Sequence, residues 1–113
     1  MAAQLLTIEV TRLEAGRARL RLAGELDFDT APELVAAAAE LRQDGYRELL
    51  FELSGVSLCD SSGLSALLTA RHTGTAIRLS GVGPQLRQLL DRTGLAELLT
   101  VERATDGDVR RAG

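Results

Sequence analysis

The length, composition and charge of the chain exclude several classes of protein. Its 113 residues, of which 45% are hydrophobic and 26% charged, are typical of one soluble globular domain. A net charge of −3 and an aromatic content of 3% do not supply the basic surface and exposed rings that nucleic-acid binding needs. The single cysteine, Cys59, excludes an internal disulfide, and the single histidine, His72, has no second ligand at metal-binding spacing. We therefore expect no metal, no cofactor and no direct nucleic-acid binding.

Membrane and export signals are also missing from the sequence. No apolar stretch reaches the ~20 residues that a bilayer-spanning helix requires. The first ten residues lack the positive region and the apolar region of a signal peptide. We expect a cytoplasmic protein with no membrane partner, in which Cys59 is a small buried residue and His72 lies on the surface of a helix.

Two strands joined by a tight turn are predicted at the start of the chain. Residues 4–13 alternate roughly in polarity, residues 17–23 alternate strictly, and the intervening "EAG" suits a hairpin turn. One face of the second strand carries arginines and the other carries apolar side chains: Arg17, Arg19 and Arg21 against Ala18, Leu20 and Leu22. The pattern predicts two antiparallel strands, of which the second is half-buried.

The first helix is predicted to run from about Thr30 to Asp44. Thr30 and Glu33 have the spacing of a capping box, Pro32 suits the first turn, and Gly45 is a stop signal. The expected buried stripe of this helix consists of Leu34, Val35, Ala38 and Leu41.

Strands and helices then alternate along the rest of the chain. The predicted elements are a buried strand at 47–56 centred on 49–53, a helix at 61–72, a strand at 75–82, a helix at 83–94 and a short strand within 95–103. This order predicts an α/β fold, with an opening β-hairpin followed by alternating β/α units around a mostly parallel central sheet. We expect one domain over residues 1–113, with its core at about 5–103 and a polar, fraying tail at 104–113. The pattern does not decide whether the helices cover one face of the sheet or both.

The segment "CDSSGL" is the strongest candidate for a functional site. Asp60, Ser61 and Ser62 follow a buried strand and begin a helix, at the carboxyl edge of a parallel sheet where functional sites gather. Four roles fit two serines at this position: a helix cap, a catalytic nucleophile, a phosphate-binding turn, or a site that itself receives phosphate.

Two of these four roles are disfavoured by the sequence. A hydrolase elbow needs G-x-S-x-G and a histidine base, but "CDSSG" lacks the first glycine. His72 would lie about 16 Å from Ser61 along the same predicted helix. A phosphate-binding loop needs G-x-x-x-x-G-K-[ST], and the chain contains no lysine. Capping and modification remain open.

The helical wheel makes a separate prediction about the two serines. Leu64, Leu67 and Leu68 define the expected buried face of the second helix, which puts Ser62 nearly opposite that face and Ser61 on its flank. By this argument Ser62 has the more exposed hydroxyl.

Several segments together resemble a known family. "GELD" at 24–27, "DSSGL" at 60–64 and "GVGPQLRQLLDRTGL" at 81–95, in this order of strands and helices, resemble the bacterial STAS-domain anti-sigma factor antagonists over about residues 5–103. The resemblance implies a STAS-like fold and a non-enzymatic regulator that binds an anti-sigma factor, itself a serine kinase, and so frees a sigma factor. It also implies that the kinase phosphorylates Ser61 and that a PP2C-type phosphatase removes the phosphate. The helical wheel makes Ser62 the second choice of acceptor.

The partner surface is predicted around the serine turn and the loop before the first helix. Gly63 would allow another backbone to approach closely, and Leu64, pointing inward, would anchor the turn. The predicted partner-binding residues are Asp27, Asp29, Thr30, Asp60, Ser62, Gly63 and Leu64. An alternative function is a STAS docking subunit of a transport or sensory assembly, in which the serine turn is not phosphorylated.

Overall fold

A five-stranded sheet with three helices forms the domain. The computed structural model describes residues 6–71, 75–95 and 99–101. Its elements are β1 Thr7–Arg12, β2 Arg17–Leu26, α1 Ala31–Gln43, β3 Glu48–Cys59, α2 Ser61–Ala70, β4 Ala76–Ser80, α3 Pro84–Thr93 and β5 Thr100–Val101. The strand order is β1-β2-β3-β4-β5, with β1 antiparallel to β2 and the other neighbours parallel. The predicted α/β class and the mostly parallel sheet are confirmed.

The helices cover one face of the sheet. Each crossover from β2 to β5 moves one strand further in the same direction, and right-handed crossovers of that kind place their helices on the same side. The centre of this face consists of Leu20, Phe51 and Leu79, which are neighbours in register and fully buried. On the opposite face Arg19 and Arg21 are exposed. This answers the question that the sequence pattern left open.

The opening hairpin agrees with its prediction. Arg17, Arg19 and Arg21 are exposed and the alternating Ala18, Leu20 and Leu22 are buried. Ala15 and Gly16 form the turn with positive φ angles of 63° and 72°.

Two strands are longer than the sequence predicted. β2 continues through Gly24 to Leu26, and β3 continues past Val56 to Cys59, although glycine and serine are poor strand formers. Pairing with β2 outweighs this propensity, since the two strands stay in register, with irregularities, as far as Leu26 and Cys59. Both strands therefore extend to the edge where the serine turn lies.

The helix boundaries agree with the prediction with two exceptions. Pro32 lies in the first turn of α1, and Gly94 ends α3 with a φ of 74°. The predicted capping box is wrong, because the Thr30 side chain caps no amide of α1. The second helix ends at Ala70 rather than near 72. The predictions for His72, for the first five residues and for the tail at 104–113 lie outside the described residues.

Candidate functional site

The serine turn joins β3 directly to α2. Asp60 is the N-cap of α2, and its Oδ1 accepts a hydrogen bond of 3.0 Å from the Gly63 amide. Ser61 is exposed and Ser62 is only partly exposed, so the prediction from the helical wheel is wrong. The reason is that Ser61 is the first helical residue and has no preceding helical turn beside it. The Asp60 carboxylate thus caps the helix, and Ser61 is an exposed residue beside it.

Glycine at position 63 is required by the chain itself. A Cβ atom there would clash with the carbonyl oxygen of Leu26 and would lie 2.8 Å from Leu26 Cγ and 3.0 Å from Cys59 Sγ. The backbone that approaches Gly63 is therefore that of β2, not one supplied by a partner. This contact places the first turn of α2 against the end of β2.

The loop between β2 and α1 lies beside the serine turn and is fixed from within. The Thr30 hydroxyl donates to the Glu25 carbonyl oxygen (2.8 Å) and accepts from the Asp27 amide (3.0 Å). Asp27 Oδ1 accepts from the amides of Asp29 and Thr30, each at 3.1 Å. Asp27 thus orders the loop, whatever else it contacts.

The predicted partner-binding residues fall into two groups. Thr30, Gly63 and Leu64 are buried. They support the exposed residues of this region and are not themselves exposed. The remaining four lie on or near the surface: Asp27, Asp29, Asp60 and Ser62.

A groove between α1 and α2 opens next to the serines. Its volume is about 810 Å³, and both Ser61 and Ser62 line it. The wall formed by α1 is largely apolar and includes Ala36 and Ala39, and Phe28 lies at the loop end. Sequence reasoning missed Phe28, which is 76% exposed. Its position between two acids in "DFD", in a chain with only 3% aromatics, was the available signal.

All charged residues in the two segments that form this region are acidic. Residues 25–35 contain Glu25, Asp27, Asp29 and Glu33, residues 56–66 contain Asp60, and neither segment contains a basic residue. A surface that complements them is cationic, with an apolar part that fits Phe28 and the groove.

The neighbouring cysteine, Cys59, is buried and remains protonated in the folded chain. Cys59 is 1% exposed, as predicted, and its burial, with a smaller contribution from Asp60, raises the pKa of the thiol to about 12. A thiol of this kind is not a nucleophile at neutral pH. Within the described residues no group of three or more His, Cys, Asp or Glu is placed to hold a metal ion. None of the described helices is long and apolar enough to cross a membrane.

Comparison with known proteins identifies the family. The family model described as "Mlab, STAS domain" matches residues 10–100. An anti-sigma-B factor antagonist of Staphylococcus aureus is 33% identical over 91 residues, which cover 77% of this chain and 84% of that protein. The chain belongs to the STAS-domain anti-sigma factor antagonist family.

Solved STAS structures agree with the fold. An anti-sigma factor antagonist from Mycobacterium paratuberculosis superimposes with a TM-score of 0.77 at 26% identity, covering 94% of this STAS chain and 92% of that one. The phosphorylated form of the Bacillus cell fate determinant SpoIIAA has a TM-score of 0.67 at 18% identity, with coverages of 92% and 98%. At that identity the second likeness concerns the fold alone.

Proposed function

We propose that this STAS domain is a cytosolic anti-sigma factor antagonist switched by phosphorylation of Ser61. The unmodified chain binds an anti-sigma factor that is a serine kinase, and the sigma factor is thereby released. The kinase transfers phosphate to Ser61 and the complex separates, and a PP2C-type phosphatase restores the binding form. The chain is a substrate and a binding protein, not an enzyme. The observation that carries the proposal is the exposed Ser61 at the start of α2, in a turn capped by Asp60 and packed on β2.

Family membership and the position of the two hydroxyls support this function. A kinase needs an acceptor oxygen that a nucleotide can approach in line, and Ser61 is the more exposed of the two serines. Asp60 already caps the helix, so the Ser61 hydroxyl is not needed for that purpose. SpoIIAA, which has a related fold, has been solved in a phosphorylated form, and that modification is a property of SpoIIAA.

The partner surface is proposed to combine the loop of Asp27 to Asp29 with the groove between α1 and α2. Phe28 supplies an apolar anchor that is already held outward by the ordered loop, so little conformational entropy is lost when it is buried. The surrounding carboxylates favour a partner with a cationic rim.

Phosphorylation is expected to preserve the fold and to change the surface. A phosphate at the start of α2 is favoured by the helix dipole and by amides that have no helical partner. It adds about −1.5 to −2 charges beside Asp60. The added negative charge does not weaken long-range attraction to a cationic partner. Dissociation of the complex must therefore come from steric block by the phosphate and from the cost of desolvating the dianion. The kinase's own nucleotide adds local repulsion, because its remaining phosphates face the new phosphoserine.

The proposal is tested by incubating the chain with purified candidate anti-sigma kinases and ATP, followed by phosphopeptide mapping. Wild type and Ser62→Ala should receive one phosphate on Ser61, and Ser61→Ala should receive none. Phosphate found only on Ser62 would overturn the acceptor assignment. A stable complex without phosphate transfer would favour the docking function in a transport or sensory assembly.

A further inference from the structure

The last residue of β3 is held on one side by a side chain instead of a strand. β4 pairs with β3 only as far as Glu52 and Ser80, whereas β2 pairs with it to Cys59. The amide of Gln85 reaches the unpaired side. The Cys59 N–H donates to Gln85 Oε1 (3.3 Å), and Gln85 Nε2 donates to the Cys59 carbonyl oxygen (2.9 Å). One side chain thus satisfies both backbone groups of this residue.

These two bonds hold the backbone two residues before Ser61, the proposed acceptor of phosphate. On the other side the Asp60 amide donates to the carbonyl oxygen of Leu26 in β2 (3.3 Å). The backbone that enters the serine turn is therefore held between β2 and the first turn of α3. Since Asp60 also caps α2, a shift at Cys59 would move the start of that helix and the Ser61 hydroxyl with it.

We infer that Gln85 is a positioning residue for Ser61, which makes the serine turn dependent on α3. The inference rests on the proposed function, because it concerns phosphoryl transfer to the same serine. Such a transfer requires the acceptor oxygen in line with the phosphate that it attacks. Small misplacements of a reacting group reduce the rate of the chemical step more than they reduce binding.

The chain offers a reporter of this geometry that needs no partner. Cys59 is the only cysteine, it is 1% exposed, and its raised pKa of about 12 keeps it as a thiol at neutral pH. A thiol reagent therefore labels it only when the end of β3 opens. We would measure the labelling rate of the folded wild type, of Gln85→Ala and of Gln85→Glu. Gln85→Glu keeps the size and one acceptor but, as a carboxylate, cannot donate to the Cys59 carbonyl oxygen.

The matched control is Gln88→Ala, which removes an exposed glutamine of the same helix. Both Gln85 variants should label about tenfold faster than wild type, the effect of losing one to two hydrogen bonds. Gln88→Ala should label at the wild-type rate. The faster labelling should depend only weakly on urea, because local opening exposes little surface, whereas global unfolding depends on it strongly.

Kinase assays supply the functional half of the test. With the anti-sigma kinase that modifies wild type, Gln85→Ala should lower kcat for Ser61 about tenfold and leave KM nearly unchanged. Labelling of Gln85→Ala at the rate of Gln88→Ala would overturn the inference, and so would faster labelling with an unchanged kcat. If no kinase phosphorylates wild type, the proposed function fails and the inference about Ser61 fails with it. The labelling rates then show separately whether Gln85 fixes the turn.

Discussion

Replacing Gly63 by alanine tests how tightly the serine turn is packed on β2. Alanine inside a helix is favoured over glycine by about 1 kcal/mol. The new methyl group, however, would clash with the Leu26 carbonyl oxygen and lie 2.8 Å from Leu26 Cγ. A backbone carbonyl cannot rotate away, and Leu26 is fully buried in a paired strand. Overpacking costs about 1–3 kcal/mol, and the upper end applies here. The net loss of unfolding free energy is about 2 kcal/mol, equivalent to a fall of about 10 °C in Tm.

The measurement is thermal and urea unfolding followed by circular dichroism. Gly83→Ala is the control, since a Cβ there has no atom within 4 Å. Its cost should stay below about 1 kcal/mol, the effect of alanine at an N-cap. Wild-type stability or a higher Tm for Gly63→Ala would refute the reasoning, because helix propensity would then outweigh the contact with β2.

Variants at three further positions test the proposed partner surface by kinase affinity and Tm measured together. Ser61→Ala should bind like wild type, whereas Ser61→Asp, equally folded, should bind about tenfold or more weakly; equal affinities would contradict a block at this position. Asp27→Ala removes the acceptor of two amide hydrogen bonds and should lower the unfolding free energy by about 1–2 kcal/mol and also lower the affinity for the partner. Unchanged affinity would show that Asp27 is not part of the partner surface. Phe28→Ala should reduce affinity about thirtyfold at an unchanged Tm, because the ring is 76% exposed. Val10→Ala, the exposed control on β1, should change neither property, and equal losses in both variants would show that Phe28 is no anchor.

Features that depend on neighbouring residues were predictable from the sequence. The alternation of arginines with Ala18, Leu20 and Leu22 specified the faces of β2, because side chains of a strand point alternately to either side. The segment "CDSSGL" was expected to begin a helix, and α2 begins there with Asp60 as its N-cap. The end of α3 at Gly94 followed from the left-handed conformation that glycine adopts without strain.

Features that depend on tertiary contacts were not predictable. Thr30 and Glu33 have the spacing of a capping box, but the Thr30 hydroxyl instead bonds to Glu25 and Asp27 within the loop. Burial statistics for aromatic residues would place Phe28 inside, and its position between two acids in "DFD" was the one local sign of its exposure. The contact of Gln85 with Cys59 joins segments 26 residues apart, and no local pattern encodes it.

The acidic edge around Asp27 and Asp60 has a consequence for the kinetics of partner exchange. Charges on a preformed surface act mainly on the encounter of two proteins, so added salt should slow association with a cationic partner. Phe28 acts only after contact, so its loss should mainly speed dissociation. The speed at which a partner is captured and the time for which it is retained would then be governed by different residues of one loop, and each could be adjusted without changing the other.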